Sequence, residues 1–273
     1  MKHASNSKNI VQSLAKGFRV LETFSAIETE FTLTEIANRT GLDSGTVFRM
    51  VNTLVSMGYL QKVSNTRKFR LSLKVLDLGF NAIARTDLRT VARPILRSLV
   101  GEVIEAASLA ALDGAEMVYL ERVQAGMARL GVDVRIGTRL PAYYTAMGHA
   151  VLAFLPREMV SRVLHMQALI KLTSNMPVTI DEINRRLAQV KRLGYAVADP
   201  TVVVGLHVLA VPVLDLDSQA IAAISAAAPA LNISLQAFIQ KTAEPVMEAA
   251  RTMGKALQAS GSALPGTAPV ANL

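Results

Sequence analysis

The sequence predicts an α+β protein with two domains, and three observations support this fold class. The chain has 273 residues, of which 51% are hydrophobic, enough to form two ordinary cores. Residues 1–80 hold eleven Lys and Arg against six Asp and Glu, whereas the remaining residues hold 18 against 15. Helical periodicity fills the basic first part, while strand-like and helix-like segments alternate in the second. The excess of positive charge favours an acidic partner such as nucleic acid or a membrane surface.

Composition and motifs exclude several kinds of site. No cysteine is present, so disulfides, thiolate zinc sites and cysteine nucleophiles are excluded. The four histidines lack metal-ligand spacing, and no nucleotide-binding or serine-hydrolase motif occurs. The longest apolar run, residues 202–214, falls short of the ~20 residues that a membrane helix requires. The N-terminus has no apolar segment typical of a signal peptide. We therefore expect a cytoplasmic protein that is not an enzyme, with no catalytic residues, no cofactor, no metal and no membrane contact.

The first domain is predicted to follow a disordered arm, residues 1–10. A helix is expected from about Ser13, because apolar residues then recur with helical spacing. A two-stranded hairpin is predicted after Gly58, where "YLQKVSNTRKFRLSL" alternates in polarity and breaks at its centre.

Two short helices are predicted between these elements, in "TLTEIANRTGLDSGTVFRMVNTLVSMGYL". The first begins with a capping box formed by Thr32 and Glu35, and it ends at Gly41. Asp43 or Ser44 can cap the second. Three helices followed by a basic hairpin describe a winged helix-turn-helix, predicted for residues 11–72.

The second helix of this stretch divides into two faces. The face predicted to be buried is apolar and consists of Val47, Met50, Val51, Leu54 and Met57. The other face is polar, carries no acidic residue and consists of Gly45, Thr46, Arg49, Asn52, Thr53 and Ser56. Because a solvated face usually mixes charges of both signs, this composition favours contact with an acidic surface.

Double-stranded DNA is the partner that this arrangement favours. On a helix that lies in the major groove, Arg49 can bond O6 and N7 of a guanine together. Free amides at the helix N-terminus suit phosphate, and the hairpin cations suit the DNA backbone. The predicted DNA-binding residues are Ser44, Gly45, Thr46, Arg49, Asn52, Thr53, Arg67 and Lys68. Two alternatives stay open: a face that contacts only solvent, and a helix-turn-helix that binds protein instead of DNA.

A linker helix is predicted at residues 73–87. The apolar stripe that starts at Leu73 changes phase at "ARTDLR", which places the domain boundary between residues 79 and 88. Pro94 is compatible with a new helix from about Thr90, because proline is tolerated in a first helical turn.

The second domain is predicted at residues 88–259 and is followed by a disordered tail, residues 260–273. It begins with a hairpin whose tight turn is Asp113-Gly114. Further strands are expected at 128–134, 195–198, 205–214 and 220–228. Helices are expected at 145–154, 157–165, 180–193 and 235–257, the last of which should bend or break at Pro245. This order indicates a mostly antiparallel sheet with helices around it.

Ordered motifs along residues 11–258 carry a resemblance to a known family. They include "SLAKGFRVLETF", "LTEIANRTGLDSGTVFRMVNTLVSMGYL", "ARPILRSLV", "LDGAEMVYLERV", "IGTRLPAYYTAMGHAVLAFL" and "GLHVLAVPVLD". The chain resembles the IclR family of bacterial transcriptional regulators, and "SLAKG" with "GTRLPAYYTAMG" resembles its subgroup for the breakdown of aromatic acids such as protocatechuate and hydroxybenzoate. The resemblance implies a DNA-binding winged helix-turn-helix, a dimerising linker helix and a GAF/PAS-like effector domain. A small carboxylic acid is then expected between the sheet and "LPAYYTAMGH".

The residues suggest where such an acid would bind. Amides of a helix that starts near Thr145 are expected to form an anion site, and Gly148 has no side chain to block it. The expected effector-binding residues are Leu140, Tyr143, Ala146, Met147, Gly148, His149, Asp199, Leu206, Val208 and Ser225. The alternative is that the two tyrosines pack under the loop. Relative to the family pattern, His149 replaces a basic residue and Val208 a polar one. These departures favour an apolar ligand with one charged end, and they equally permit a pocket with a different ligand or none.

Assembly is predicted from the linker stripe and the resemblance together. A palindromic operator requires a two-fold protein, and an apolar linker helix without a partner in its own chain can form a homodimer. Pairing of effector domains into a dimer of dimers is implied by the resemblance alone.

Overall fold

The computed structural model describes residues 10–25, 27–78, 88–125, 134–170, 179–198 and 204–259. The chain forms two compact units, residues 1–82 and residues 83–273. The predicted α+β class is confirmed, with a helix-turn-helix in the first unit and an antiparallel sheet in the second. No helix within the described ranges is long and apolar enough to span a bilayer.

The described part of the first unit up to residue 71 contains three helices and three short strands. In order they are α1 (Gln12–Leu21), β1 (Phe31–Thr32), α2 (Leu33–Thr40), α3 (Ser44–Ser56), β2 (Leu60–Lys62) and β3 (Lys68–Leu71). The predicted capping box is confirmed, because Thr32 and Glu35 cap each other at the start of α2. Gly41 ends α2 with a left-handed backbone at φ 66°, a conformation that glycine adopts without strain.

The predicted hairpin forms a three-stranded sheet, in which β3 lies between β1 and β2. β1 was not predicted, because two residues are too few to show strand alternation. It pairs Phe31 with Phe69 across the sheet. The core of this unit gathers residues from all three helices and the hairpin, including Val20, Ile36, Val47, Val51 and Leu60.

The second unit is built on a six-stranded sheet of order β6-β5-β4-β9-β8-β7, and every pairing is antiparallel. Its elements are α4 (Leu88–Leu99), β4 (Ala106–Asp113), β5 (Glu116–Gln124), β6 (Arg139–Pro141), α5 (Ala146–Leu152), α6 (Arg157–His165), α7 (Ile180–Leu193), β7 (Ala196–Val197), β8 (Leu206–Leu214), β9 (Ala220–Pro229) and α8 (Leu235–Ala259). α7 begins at the Thr179 cap and ends before Gly194, as predicted.

Helices cover both faces of this sheet, so alternate residues of each central strand belong to different cores. Leu109, Leu209 and Ile224 point toward α4 and α8. Ala110 and Ala210 point toward α5, α6 and α7. This alternation fixes which strand residues share the α5 side, the face expected to bind a ligand.

Several local predictions were wrong. Pro94 lies inside α4, because the helix begins two residues before the expected Thr90. α8 continues through Pro245 without a break, while the predicted alternative of a bend there stays a prediction. Asp113 pairs with Glu116, so the turn between β4 and β5 consists of the next two residues, Gly114 and Ala115. β6 was not predicted.

Other predictions fall on parts of the chain outside the described residues. These parts are most of the disordered arm (1–9), most of the linker helix (79–87), most of the strand at 128–134, and the tail (260–273). Of the predicted linker helix, residues 75–78 are helical in the structure.

Candidate nucleic-acid interface and ligand site

Helix α3 presents an exposed face that is polar except for Phe48 and Val55. The Asp43 side chain accepts a hydrogen bond from the Thr46 amide (2.8 Å) and thereby caps the helix. Hydrogen bonds from the Thr46 side chain and amide hold the pKa of Asp43 below its usual range, so the cap is ionised at neutral pH. The solvent-facing residues of α3 are Ser44, Gly45, Phe48, Arg49, Asn52, Thr53, Val55 and Ser56.

Two residues of the predicted faces are placed differently by the structure. Thr46 is only 6% exposed, because it lies one turn before Met50 and widens the buried stripe. Its amide is already bonded to the carboxylate of Asp43, whose negative charge opposes a phosphate at this helix end. Met57 is 52% exposed, because it follows Ser56, the last helical residue. The predicted free amide at Thr46 and the buried position of Met57 were therefore wrong.

Phe48 is the residue of this face that sequence reasoning missed. It is 53% exposed and lies between Gly45 and Asn52 along the exposed face. Helical periodicity alone could have predicted the exposure of Phe48, since this residue lies outside the apolar stripe of α3. An exposed aromatic ring beside Arg49 can make the apolar contact that a thymine methyl group offers in the major groove.

The wing, which is the hairpin of β2 and β3, carries two cations close to its tip. Arg67 and Lys68 are exposed, and neither forms an ion pair with a residue that the structure describes. Arg70, two residues further along β3, lies 3.8 Å from a carboxylate oxygen of Glu30 and is partly neutralised by it. The wing therefore presents two uncompensated positive charges, which suit a phosphate backbone.

The start of α5 is closely packed. The Thr145 hydroxyl caps the helix by accepting from the Gly148 amide (3.1 Å), and all seven residues of α5 are buried. A Cβ built on Gly148 would lie 2.0 Å from the carbonyl oxygen of Ala142. The space beside Gly148 is therefore filled by the chain itself, so the expectation that this glycine leaves room for a ligand was wrong. Binding of a carboxylate by the amides at the start of α5 stays a prediction.

The side chains of His149 and Tyr143 form hydrogen bonds with the backbone of the segments around α5. The imidazole Nε2 of His149 donates to the carbonyl of Tyr143 (2.7 Å). Burial lowers the pKa of His149 to about 4, so the ring is neutral at pH 7. The Tyr143 hydroxyl donates to the carbonyl of Ile170 (2.9 Å) and accepts from its amide (3.1 Å). Both side chains therefore have structural partners, as do Ala146 and Met147 in the same core.

The other expected ligand residues lie on the sheet. Leu206 and Val208 of β8 form a small cluster with Ala106, and Val208 also packs against the α5 core. Ser225 is buried on the same face of β9. Leu140 lies apart on β6, opposite Met117, and Asp199 lies outside the described residues.

A polar row crosses the α5 side of the sheet at these strands. Ser108 of β4 pairs with Ser225 on one side and with Arg122 of β5 on the other. The Arg122 guanidinium donates to the Ser108 hydroxyl through Nη1 (3.0 Å), and Ser108 is only 1% exposed. Sequence reasoning missed Arg122. The signal available was a basic residue at an inward position of the apolar strand "MVYLERV".

Family models match both units. The IclR helix-turn-helix domain matches residues 13–64. The model described as bacterial transcriptional regulator IclR C-terminal matches residues 80–255. The chain belongs to the IclR family. It is a transcriptional regulator with an N-terminal helix-turn-helix and a C-terminal ligand-binding unit.

Similar IclR-family proteins include regulators of several catabolic systems. The Pca regulon regulatory protein of Pseudomonas putida is 31% identical over 80% of this chain and 74% of its own length. KdgR of Escherichia coli is 31% identical over 82% of this chain and 84% of its own. The crystal structure of an IclR homologue from Microbacterium hydrocarbonoxydans complexed with 4-hydroxybenzoate is 31% identical. It has a TM-score of 0.77 and covers 91% of this chain and 100% of its own.

Gly148→Ala tests whether the contact with Ala142 fixes α5. We expect the substitution to lower the free energy of unfolding by about 1–3 kcal/mol, because backbone must move to admit the methyl group. Gly101→Ala is the matched control, since a Cβ there meets nothing within 4 Å. Urea unfolding of the full chain measures both. A Gly148→Ala protein as stable as the control would show that Ala142 yields easily.

The buried neutral His149 predicts a loss of stability in acid. Its pKa is about 4 when folded, below the ordinary histidine value of 6.5, so the unfolded chain binds the extra proton first. Stability is therefore full above pH 6.5 and falls toward pH 4, by about 2 kcal/mol between pH 7 and pH 5. Replacing His149 by Gln should remove this part of the slope, whereas the exposed His165→Gln should retain it. Equal slopes in both variants would contradict the assignment.

Proposed function

We propose that this IclR-family protein binds operator DNA through α3 and the wing, and regulates a catabolic operon in response to a small aromatic carboxylic acid. The observation that carries the ligand class is the α5 side of the sheet. Small and apolar residues of β4, β8 and β9 lie there beside a single cation, Arg122. Such a surface suits an apolar body with one negative end.

The comparisons support the aromatic class without assigning it. A similar structure contains 4-hydroxybenzoate, and a similar regulator controls the Pca regulon. The sheet face itself offers few hydrogen-bonding groups in its described part, namely Ser108, Ser225, Arg122 and the phenol of Tyr119. A polyhydroxylated acid would leave several of its hydroxyl groups unpaired there, which costs binding free energy.

A protein partner for the helix-turn-helix is the second candidate. It is favoured by three exposed apolar side chains in and just after α3, those of Phe48, Val55 and Met57. The salt dependence of binding distinguishes a DNA partner from a protein partner. Binding dominated by phosphate weakens steeply as salt rises, whereas binding to an apolar protein surface does not.

Dimerisation is proposed to bring two helix-turn-helix units to one palindromic operator. Leu73 and Leu76 of the predicted linker are largely exposed within the first unit. α1 also exposes an apolar stripe, formed by Val11, Leu14 and Phe18. Both surfaces suit burial against a second copy of the chain. One chain per operator, in the DNA titration below, would contradict this assembly.

Arg49→Ala tests the placement of α3 on DNA. We expect it to cost about 1–3 kcal/mol of affinity for an operator selected from genomic fragments, and to relax preference at one base pair. Lys68→Ala should instead weaken all sequences alike and reduce the salt slope by about one. Fluorescence anisotropy with the operator and a scrambled duplex measures both effects. Wild-type selectivity in the Arg49 variant would show that another residue reads the sequence.

Calorimetry of the full chain tests the ligand class. We expect 4-hydroxybenzoate or protocatechuate to bind, because a ring can cover the apolar sheet face while the carboxylate stays charged. Glyoxylate and pyruvate are the matched small acids without a ring. If they bind and the aromatic acids do not, the aromatic proposal fails, while the assignment as a transcriptional regulator stands.

A further inference from the structure

We propose that Arg122, held by Ser108, binds the carboxylate of the effector. The inference rests on the proposed function for the identity of the ligand, but its geometry comes from the sheet alone. Arg122 would be the residue that makes the site select an acid over a neutral molecule of the same shape.

Strand register places Arg122 at the ligand face. Arg122, Ser108, Ser225 and Ala210 stand opposite one another on β5, β4, β9 and β8. Ala210 belongs to the α5 core, so the whole row points to that side of the sheet. Arg122 is half-buried, so part of this residue is accessible to solvent.

The charge on Arg122 lacks an anionic partner among the residues that the structure describes. Its guanidinium bonds to a neutral hydroxyl, that of Ser108, and forms no ion pair with any described carboxylate. Burial lowers the pKa of Arg122, which shows that water has been partly removed from the cation. Nearby Tyr119 does not supply the missing charge, because burial raises the pKa of its phenol and keeps it neutral.

A carboxylate matches what the guanidinium still offers. Arginine carries five N–H donors in a planar fork, and one of them is engaged by Ser108. The remaining donors can bind both oxygens of a carboxylate, and the interaction is strong where water is partly excluded. Ser108 keeps the fork oriented, so less side-chain freedom is lost when the ligand binds.

A row of small and apolar side chains lies beside Arg122 on the same face of the sheet. Ala106, Ala227 and Val208 face one another two residues further along the strands. Ala106 and Ala227 are buried, so a flat ring bonded to Arg122 through its carboxylate would displace the groups that cover these methyl groups. The ring would then pack against an apolar surface bordered by Val208 and Leu206.

The test compares an acid with its neutral isostere on two proteins. 4-Hydroxybenzoate and 4-hydroxybenzamide are titrated into the full-length wild type and Arg122→Gln. We expect the wild type to prefer the acid, and Arg122→Gln to weaken the acid about 10- to 100-fold while changing the amide little. Arg122→Lys should recover part of the loss, because it keeps the charge without the fork. Arg162→Gln, which removes a charge from the exposed side of α6, is the control and should bind as wild type.

Unfolding without ligand separates a binding role from a structural one. In Arg122→Gln, the thermal midpoint of unfolding without ligand should be unchanged or raised, because the substitution removes a half-buried cation that lacks a carboxylate partner. Addition of 4-hydroxybenzoate should no longer raise this midpoint. A lower midpoint in Arg122→Gln, with undiminished affinity for the acid, would overturn the inference and leave the proposed function in place.

If the wild type binds neither aromatic compound, the same variants are titrated with the small carboxylate that does bind. Failure of every carboxylate to bind overturns both proposals.

Discussion

The contact between Gly148 and the carbonyl of Ala142 is the constraint on which the ligand-binding unit depends. It brings the start of α5 against the preceding segment, closer than any side chain would allow. His149 and Tyr143 then bond the backbone on either side of that contact, at Tyr143 and at Ile170. The hydroxyl of Tyr143 and the ring of His149 are therefore engaged by the protein itself. In the proposed site, the sheet provides the charged binding group.

The antiparallel register places polar side chains of different strands side by side on the sheet. Pairing across β5, β4 and β9 aligns Arg122, Ser108 and Ser225 on one face, although they are far apart in sequence. The opposite face of the same strands is filled by the packing of α4 and α8. Both faces of the sheet are thus packed against helices, and alternation along each strand decides on which face a polar side chain lies.

Sequence patterns predicted the elements well wherever the signal was local. The capping boxes at Thr32 and Thr179 fixed two helix starts, and alternation found β4, β5, β8 and β9. Features that depend on contacts between residues distant in sequence could not be predicted. β1 exists only because β3 lies beside it, and Arg122 gains meaning only when Ser108 is placed opposite. The role of Gly148 was misjudged for the same reason, since Ala142 approaches it through the fold and not through the pattern.

The small side chains on the α5 face have an evolutionary consequence. Ala106, Ala227, Ser108 and Ser225 bond to neighbouring strands through their backbones, so their side chains can change without altering the sheet. Each enlargement would reshape the floor of the site, whereas Gly148 cannot change without moving backbone. Divergence of ligand preference among descendants of such a protein is therefore expected to accumulate in the strands, while α5 stays constant.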